Sequence, residues 1–169
     1  MKHRILLIVL SAVALTSCRV SFSFTTASIS PDIKSVSVGF IPNNAPMVEP
    51  TLSPALREAL MDKFSRQTKM EVLREGGDIS FDGEIIDYTT TPVAVTSESE
   101  VASMTRLTIT VRMTFTNTID PSNNYSRNFS QFSDYRSSIS LQEAVLTLIP
   151  EIVDMFVTDM FNVAFSSNW

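Results

Sequence analysis

Histidine and cysteine are almost missing from this sequence: 169 residues hold one of each, His3 and Cys18. Both lie within the first eighteen positions, so the rest of the chain has neither imidazole nor thiol. Ser-His-Asp and Cys-His catalysis each need one of these groups, and the usual zinc and copper sites need them as ligands. A lone thiol cannot form an intrachain disulfide, so the fold must rest on packing. No basic run appears either, so nucleic acid is not an expected partner. Only carboxylate, lysine or tyrosine chemistry remains, and the expectation is a protein that is not an enzyme and takes no cofactor.

What is present begins at the amino terminus. Met1-Lys2-His3-Arg4 is a basic head, and Ile5 to Leu15 is an eleven-residue run broken only by Ser11. That run is too short to span a bilayer and has the form of a signal peptide. Leu15-Thr16-Ser17-Cys18 resembles the bacterial lipobox, in which a signal peptidase cuts before the cysteine and lipid is attached to it. The expectation is a signal peptide over 1–17 and a mature chain acylated at Cys18. Two or more acyl chains on one residue anchor stably, where one gives marginal binding. Removing 1–17 leaves 152 residues with 11 basic against 18 acidic side chains, a domain of ordinary size and modest acidity. Residues 18–32 read as a Ser/Thr-rich tether of at most about 50 Å, in which Phe22 and Phe24 share one face. Residues 33–169 read as a single α+β domain.

Within that domain, Lys34 to Ile41 alternates, with Val36, Val38 and Phe40 on one side and Ser35, Ser37 and Gly39 on the other, which predicts a half-buried strand. Thr51 to Thr68 carries a stripe of Leu52, Leu56, Ala59, Leu60 and Phe64 at helical steps, with Thr51 or Ser53 as N-cap and Pro54 in the first turn. Met70 to Arg74 is a possible short strand before Gly76-Gly77. Asp78 to Val95 is a strand whose phase slips at Ile85-Ile86, the mark of a bulge, and Thr96 to Ser103 reads as a polar hairpin loop. Thr105 to Thr118 places Leu107, Ile109, Val111, Met113 and Phe115 on one face and Arg106, Thr108, Thr110, Arg112, Thr114 and Thr116 on the other. After a turn at Asp120 to Asn124, Tyr125 to Tyr135 returns with polar residues on both faces, as an edge strand does. Ser140 to Phe165 is helical, and Pro150 inside it predicts a kink or two shorter helices. Two helices must then cover one sheet face, leaving the threonine and arginine row bare.

That row has two readings, an ordinary wet sheet surface or a polar docking face for another protein. Arg106 and Arg112 project from it, while Arg57 and Arg66 lie on the first helix; guanidinium forks suit phosphate, so a phosphate-bearing lipid is one possible ligand. Asp78, Asp82, Glu84 and Asp87 form an acidic group that could suggest calcium or glycoside chemistry. Three of them simply alternate along one strand face, which favours solvated charge.

Taken in order, several stretches resemble the lipopolysaccharide-assembly lipoprotein family LptE: Ser28-Ile29-Ser30-Pro31 leading into KSVSVGFI, Asn44 to Phe64, Gly77 to Val95, Arg106 to Asn117, and Asp159 to Trp169. The resemblance implies a four-stranded sheet with two helices on one face. It also implies a lipid-anchored subunit of the outer membrane that fills the lumen of the large barrel LptD, assists its assembly, and helps place lipopolysaccharide in the outer leaflet. Arg19 after Cys18, in place of the aspartate tied to inner-membrane retention, agrees with that sorting. Pro150 departs from the family's uninterrupted last helix. Apart from the resemblance, the residues also allow a stand-alone envelope lipoprotein that binds glycan or lipid.

Overall fold

A computed structural model describes residues 29–97 and 100–165. Cys18, the signal segment and most of the tether lie outside the described residues. The elements run β1 (Ser35–Val38), α1 (Leu52–Gln67), β2 (Glu71–Leu73), β3 (Ile79–Ser97), β4 (Glu100–Asn117), a 3-10 turn (Pro121–Asn123), β5 (Tyr125–Arg136) and α2 (Leu141–Phe165). They build a mixed sheet in the order β2-β1-β3-β4-β5. β1 pairs in parallel with β2 and β3, while β3-β4-β5 is an antiparallel meander. This is α+β, with five strands instead of four. The additional strand is the short Glu71–Leu73, which adds an edge beside β1 through three residue pairs.

Both helices lie on one side of the sheet. Leu107, Ile109, Val111, Met113 and Phe115 of β4 are buried beneath them, as are Leu52, Leu56, Leu60 and Phe64 of α1 and Leu148, Ile152, Phe156 and Met160 of α2. A chain of rings ties the layers together. Phe64 of α1 lies 5.1 Å from Phe81 of β3 and 5.7 Å from Phe161 of α2, and Phe81 lies 5.0 Å from Phe115 of β4, which stacks on Tyr125 of β5 at 5.3 Å. Each such ring buries a large apolar area and holds its neighbours in offset or edge geometry. Truncating one to alanine in a core costs about 3–5 kcal/mol.

The bulge falls where the phase slips. Ile85 pairs with Val111 and Asp87 with Thr110, so Ile86 is the extra residue. One inserted residue reverses the alternation, and both Ile85 and Tyr88 are therefore buried. Burial pushes the Tyr88 hydroxyl up to about 12.

Four local readings are corrected. The hairpin loop expected over Thr96 to Ser103 is largely strand, since Ser97 still pairs with Glu100. Of the two outcomes expected at Pro150, division into two shorter helices does not occur: one helix runs from Leu141 to Phe165 with Pro150 inside it. The ring faces solvent, and the carbonyl left without its donor belongs to Leu146, 76% exposed, where water can satisfy it. Thr51 stands at the N-cap of α1 without making a side-chain cap; its hydroxyl donates instead to Glu49, and the Ser53 hydroxyl donates to the Ile41 carbonyl. Phe40 is turned outward at 76% exposure while Ser37 is buried. β1 ends at Val38, so the alternation fails and Ile41 takes the inward place.

Ser37 is buried because the Gly76-Gly77 turn closes over β1. Gly76 has φ +74°, a conformation that suits glycine. A Cβ on Gly77 would stand 2.8 Å from both the Ser37 amide nitrogen and the Ile79 carbonyl oxygen, backbone atoms that cannot move aside cheaply. Gly77→Ala is therefore expected to lower stability by about 1–3 kcal/mol, read as a reduced midpoint in chemical denaturation. An unchanged midpoint would mean that the turn does not press on β1.

Candidate functional site

The uncovered sheet face is built by one half of the alternation of β3, β4 and β5. From β4 it presents Arg106, Thr108, Thr110, Arg112, Thr114 and Thr116, the residues opposite to the buried apolar row. Pairing with β5 sets Asp134 across from Arg106, Phe132 across from Thr108, Ser130 across from Thr110 and Ser126 across from Thr114. Pairing with β3 sets Glu84 across from Arg112.

These juxtapositions become contacts. Arg106 makes a bidentate pair with Asp134, Nε to Oδ1 at 2.7 Å and a terminal nitrogen to Oδ2 at 2.8 Å. Its guanidinium also lies 3.9 Å from the centre of the Phe132 ring, within cation–π range. Arg112 pairs with Glu84 at 2.7 Å, and Glu84 also accepts from the Asn44 amide at 2.8 Å. Hydroxyls pair across the strands, Thr110 with Ser130 at 3.1 Å and Thr114 with Ser126 at 2.9 Å. The hydrogen bond from Arg106 holds the Asp134 carboxyl below the usual carboxylate range, and the same bond raises Arg106.

The structure therefore divides the candidate residues. Arg106, Thr108, Thr110 and Arg112 share the uncovered face. Arg57 and Arg66 belong to α1, on the helical side. Arg57 Nε donates to the Val38 carbonyl at 3.1 Å and docks the helix on β1, while Arg66 pairs with Asp62 one turn away at 3.0 Å. Arg66 borders an open groove of about 1000 Å³ beside α1 and α2, lined by Ala55, Ala59, Ile149, Val153 and Val157.

The acidic group has several separate duties. Asp78 accepts from the amides of Lys34 and Ser35, at 2.8 and 2.9 Å, and from the Ser35 hydroxyl at 2.9 Å, joining the starts of β1 and β3. Those bonds, the Lys34 amide first, hold its carboxyl low. Asp82 accepts from Ser80, Asp87 from Thr89, and Glu84 is taken by Arg112. Among the described residues no three such side chains converge to hold a metal ion.

Sequence reasoning missed Phe132, Asp134, Ser126 and Ser130. The signal was nevertheless available: an antiparallel turn centred near residue 120 pairs residues equidistant from it, and that places Arg106 opposite Asp134.

Fold and face together define a two-layer α+β domain whose distinctive surface is an extensive, largely polar sheet face. The described residues contain no helix long and apolar enough to cross a membrane. The family model for LptE, lipopolysaccharide assembly, matches residues 33–162. The chain belongs to that LptE lipopolysaccharide-assembly family. No curated protein sequence matches it. Among solved structures it is similar to a putative neuraminyllactose-binding hemagglutinin homolog from Helicobacter pylori, with 7% identity, 84% of this chain and 88% of that one covered, and a TM-score of 0.53. It is also similar to a hypothetical protein from Chlamydia trachomatis, with 9% identity, coverage of 79% and 99%, and a TM-score of 0.51. A third, from Xanthomonas campestris, has 12% identity, coverage of 83% and 90%, and a TM-score of 0.50. At these identities the likeness concerns the fold alone.

The two lowered carboxyls give a pH prediction. A carboxyl whose folded pKa lies below its unfolded value, about 4, contributes stability above that value and loses it as pH falls through the folded pKa. Stability should therefore fall below about pH 4. Asp134→Asn should lower stability at neutral pH and flatten the acid limb, as measured by denaturation at stepped pH. An acid limb of unchanged slope in the variant would contradict the ion pair.

Proposed function

We propose that this chain is an outer-membrane lipoprotein subunit of the lipopolysaccharide translocon, anchored through acyl chains on Cys18, which plugs the LptD barrel, assists its assembly and helps lipopolysaccharide enter the outer leaflet. The observation that carries this reading is membership of the lipopolysaccharide-assembly family over residues 33–162. In this reading the protein works as a wedge and not as a catalyst. It sits on the periplasmic side or within the barrel lumen, held to the inner leaflet of the outer membrane.

The physics supports the arrangement. A chain of 152 residues has a radius of gyration of about 15 Å, which only an unusually wide barrel encloses, and such barrels have polar interiors. A sheet face of paired hydroxyls, on which Arg106 and Arg112 are closed in ion pairs, matches a polar wall that can hydrogen-bond the charges left outside those pairs. Arg106, Thr108, Thr110 and Arg112 would meet that wall, and Arg57 and Arg66 would face the lumen or its glycolipid from the helical side.

The test is affinity capture of the tagged chain from gently solubilised membranes, beside Cys18→Ala. The wild type should retrieve an outer-membrane barrel, and Cys18→Ala should lose its acyl groups and its membrane association. Recovery of a monomer bound to glycan or lipid, with no barrel, would support the stand-alone reading instead.

A further inference from the structure

We infer that Phe132 is the anchor by which the uncovered face of β3, β4 and β5 docks on an uncharged protein wall, and that this face does not hold an anionic lipid headgroup. The inference deepens the reading above and rests on it. Phe132 is a large apolar side chain left 50% exposed on this face, more exposed than Val93 and Met104, which share the face by register and are part-buried. It stands opposite Thr108, beside the Thr110–Ser130 hydroxyl pair. The Arg106 guanidinium over its ring is itself clamped by the two hydrogen bonds it donates to the Asp134 carboxylate. The ring is thus stiffened before any partner arrives, and little side-chain entropy is lost on docking. Aromatic and arginine side chains ringed by energetically neutral polar contacts are the usual composition of an interface hot spot.

Charge decides between the possible occupants. On this face the described side chains of β3, β4 and β5 include four carboxylates, Asp82, Glu84, Asp87 and Asp134, against three guanidiniums, Arg106, Arg112 and Arg136. Two of the three guanidiniums are closed in ion pairs of 2.7 Å. A phosphate would have to break those pairs and approach a face with an excess of negative charge. A wall of hydroxyls and amides leaves both pairs closed and offers hydrogen bonds to the charges outside them, Asp82, Asp87 and Arg136. Extent agrees: the row from Thr108 to Thr116 runs about 27 Å along the uncovered face, a length suited to a protein surface.

A photo-crosslinking amino acid placed at position 132 of the full-length chain, and for comparison at Leu146 on the solvent side of α2, tests the inference in cells. The expected result is an adduct with an outer-membrane barrel from position 132, several-fold stronger than from position 146. Phe132→Ala, half exposed and so compatible with folding, should reduce barrel recovery at least tenfold, the loss typical of a hot spot. An adduct from position 132 to lipopolysaccharide in place of protein, an adduct from position 146 alone, or full recovery of the barrel by Phe132→Ala would each overturn it. If the wild type recovers no barrel at all, the translocon reading itself fails and the inference falls with it.

Discussion

The two-residue period of β4 is the constraint on which everything else depends. One half of its side chains, Leu107 to Phe115, is sealed beneath two helices. The other half, Arg106 to Thr116, is left to the outside. A slip of one residue in register would exchange the two sets and place Arg112 in the core. Three features hold the register. The insertion of Ile86 keeps both Ile85 and Tyr88 inward, the aromatic chain from Phe64 to Tyr125 links every layer, and the Asp78 carboxylate fastens the start of β3 to β1.

Much of this was legible in the sequence because the period is strict where burial is one-sided. The β4 alternation, the bulge, the stripe of α1 and the edge position of β5 all follow from apolar spacing. What was illegible has particular causes. Glu71–Leu73 falls inside the short strand read over Met70 to Arg74, but its parallel pairing with β1 depends on a distant segment and left no mark in the local pattern. The run from Thr96 to Ser103 is mostly polar in sequence, and that composition concealed the backbone ladder that continues through it. Pro150 breaks a helix only when the orphaned carbonyl is buried, and burial is a tertiary fact. Phe40 exchanges places with Ile41 because the strand ends sooner than the pattern does.

The candidate site follows the same logic. Arginines read along one strand look available for phosphate. Read across three strands, each finds a carboxylate: Asp134 for Arg106 and Glu84 for Arg112. The cross-strand view changes the surface from a basic patch into a hydroxyl-bearing one with a slight excess of carboxylates. Arg57 and Arg66, read on the first helix, are engaged there with the Val38 carbonyl and Asp62. Ion pairs this exposed add little to stability; here they also govern which partner the face can accept.

Because the sequence contains no thiol other than Cys18, a cysteine placed on the face reports directly on whether it is covered. Thr110→Cys should react readily with a maleimide in the isolated protein and be strongly protected in the complex captured from membranes, while Glu58→Cys on the outside of α1 is slowed less. Equal reactivity of Thr110→Cys in the two states would contradict the account, because the uncovered face would then remain uncovered in the assembly.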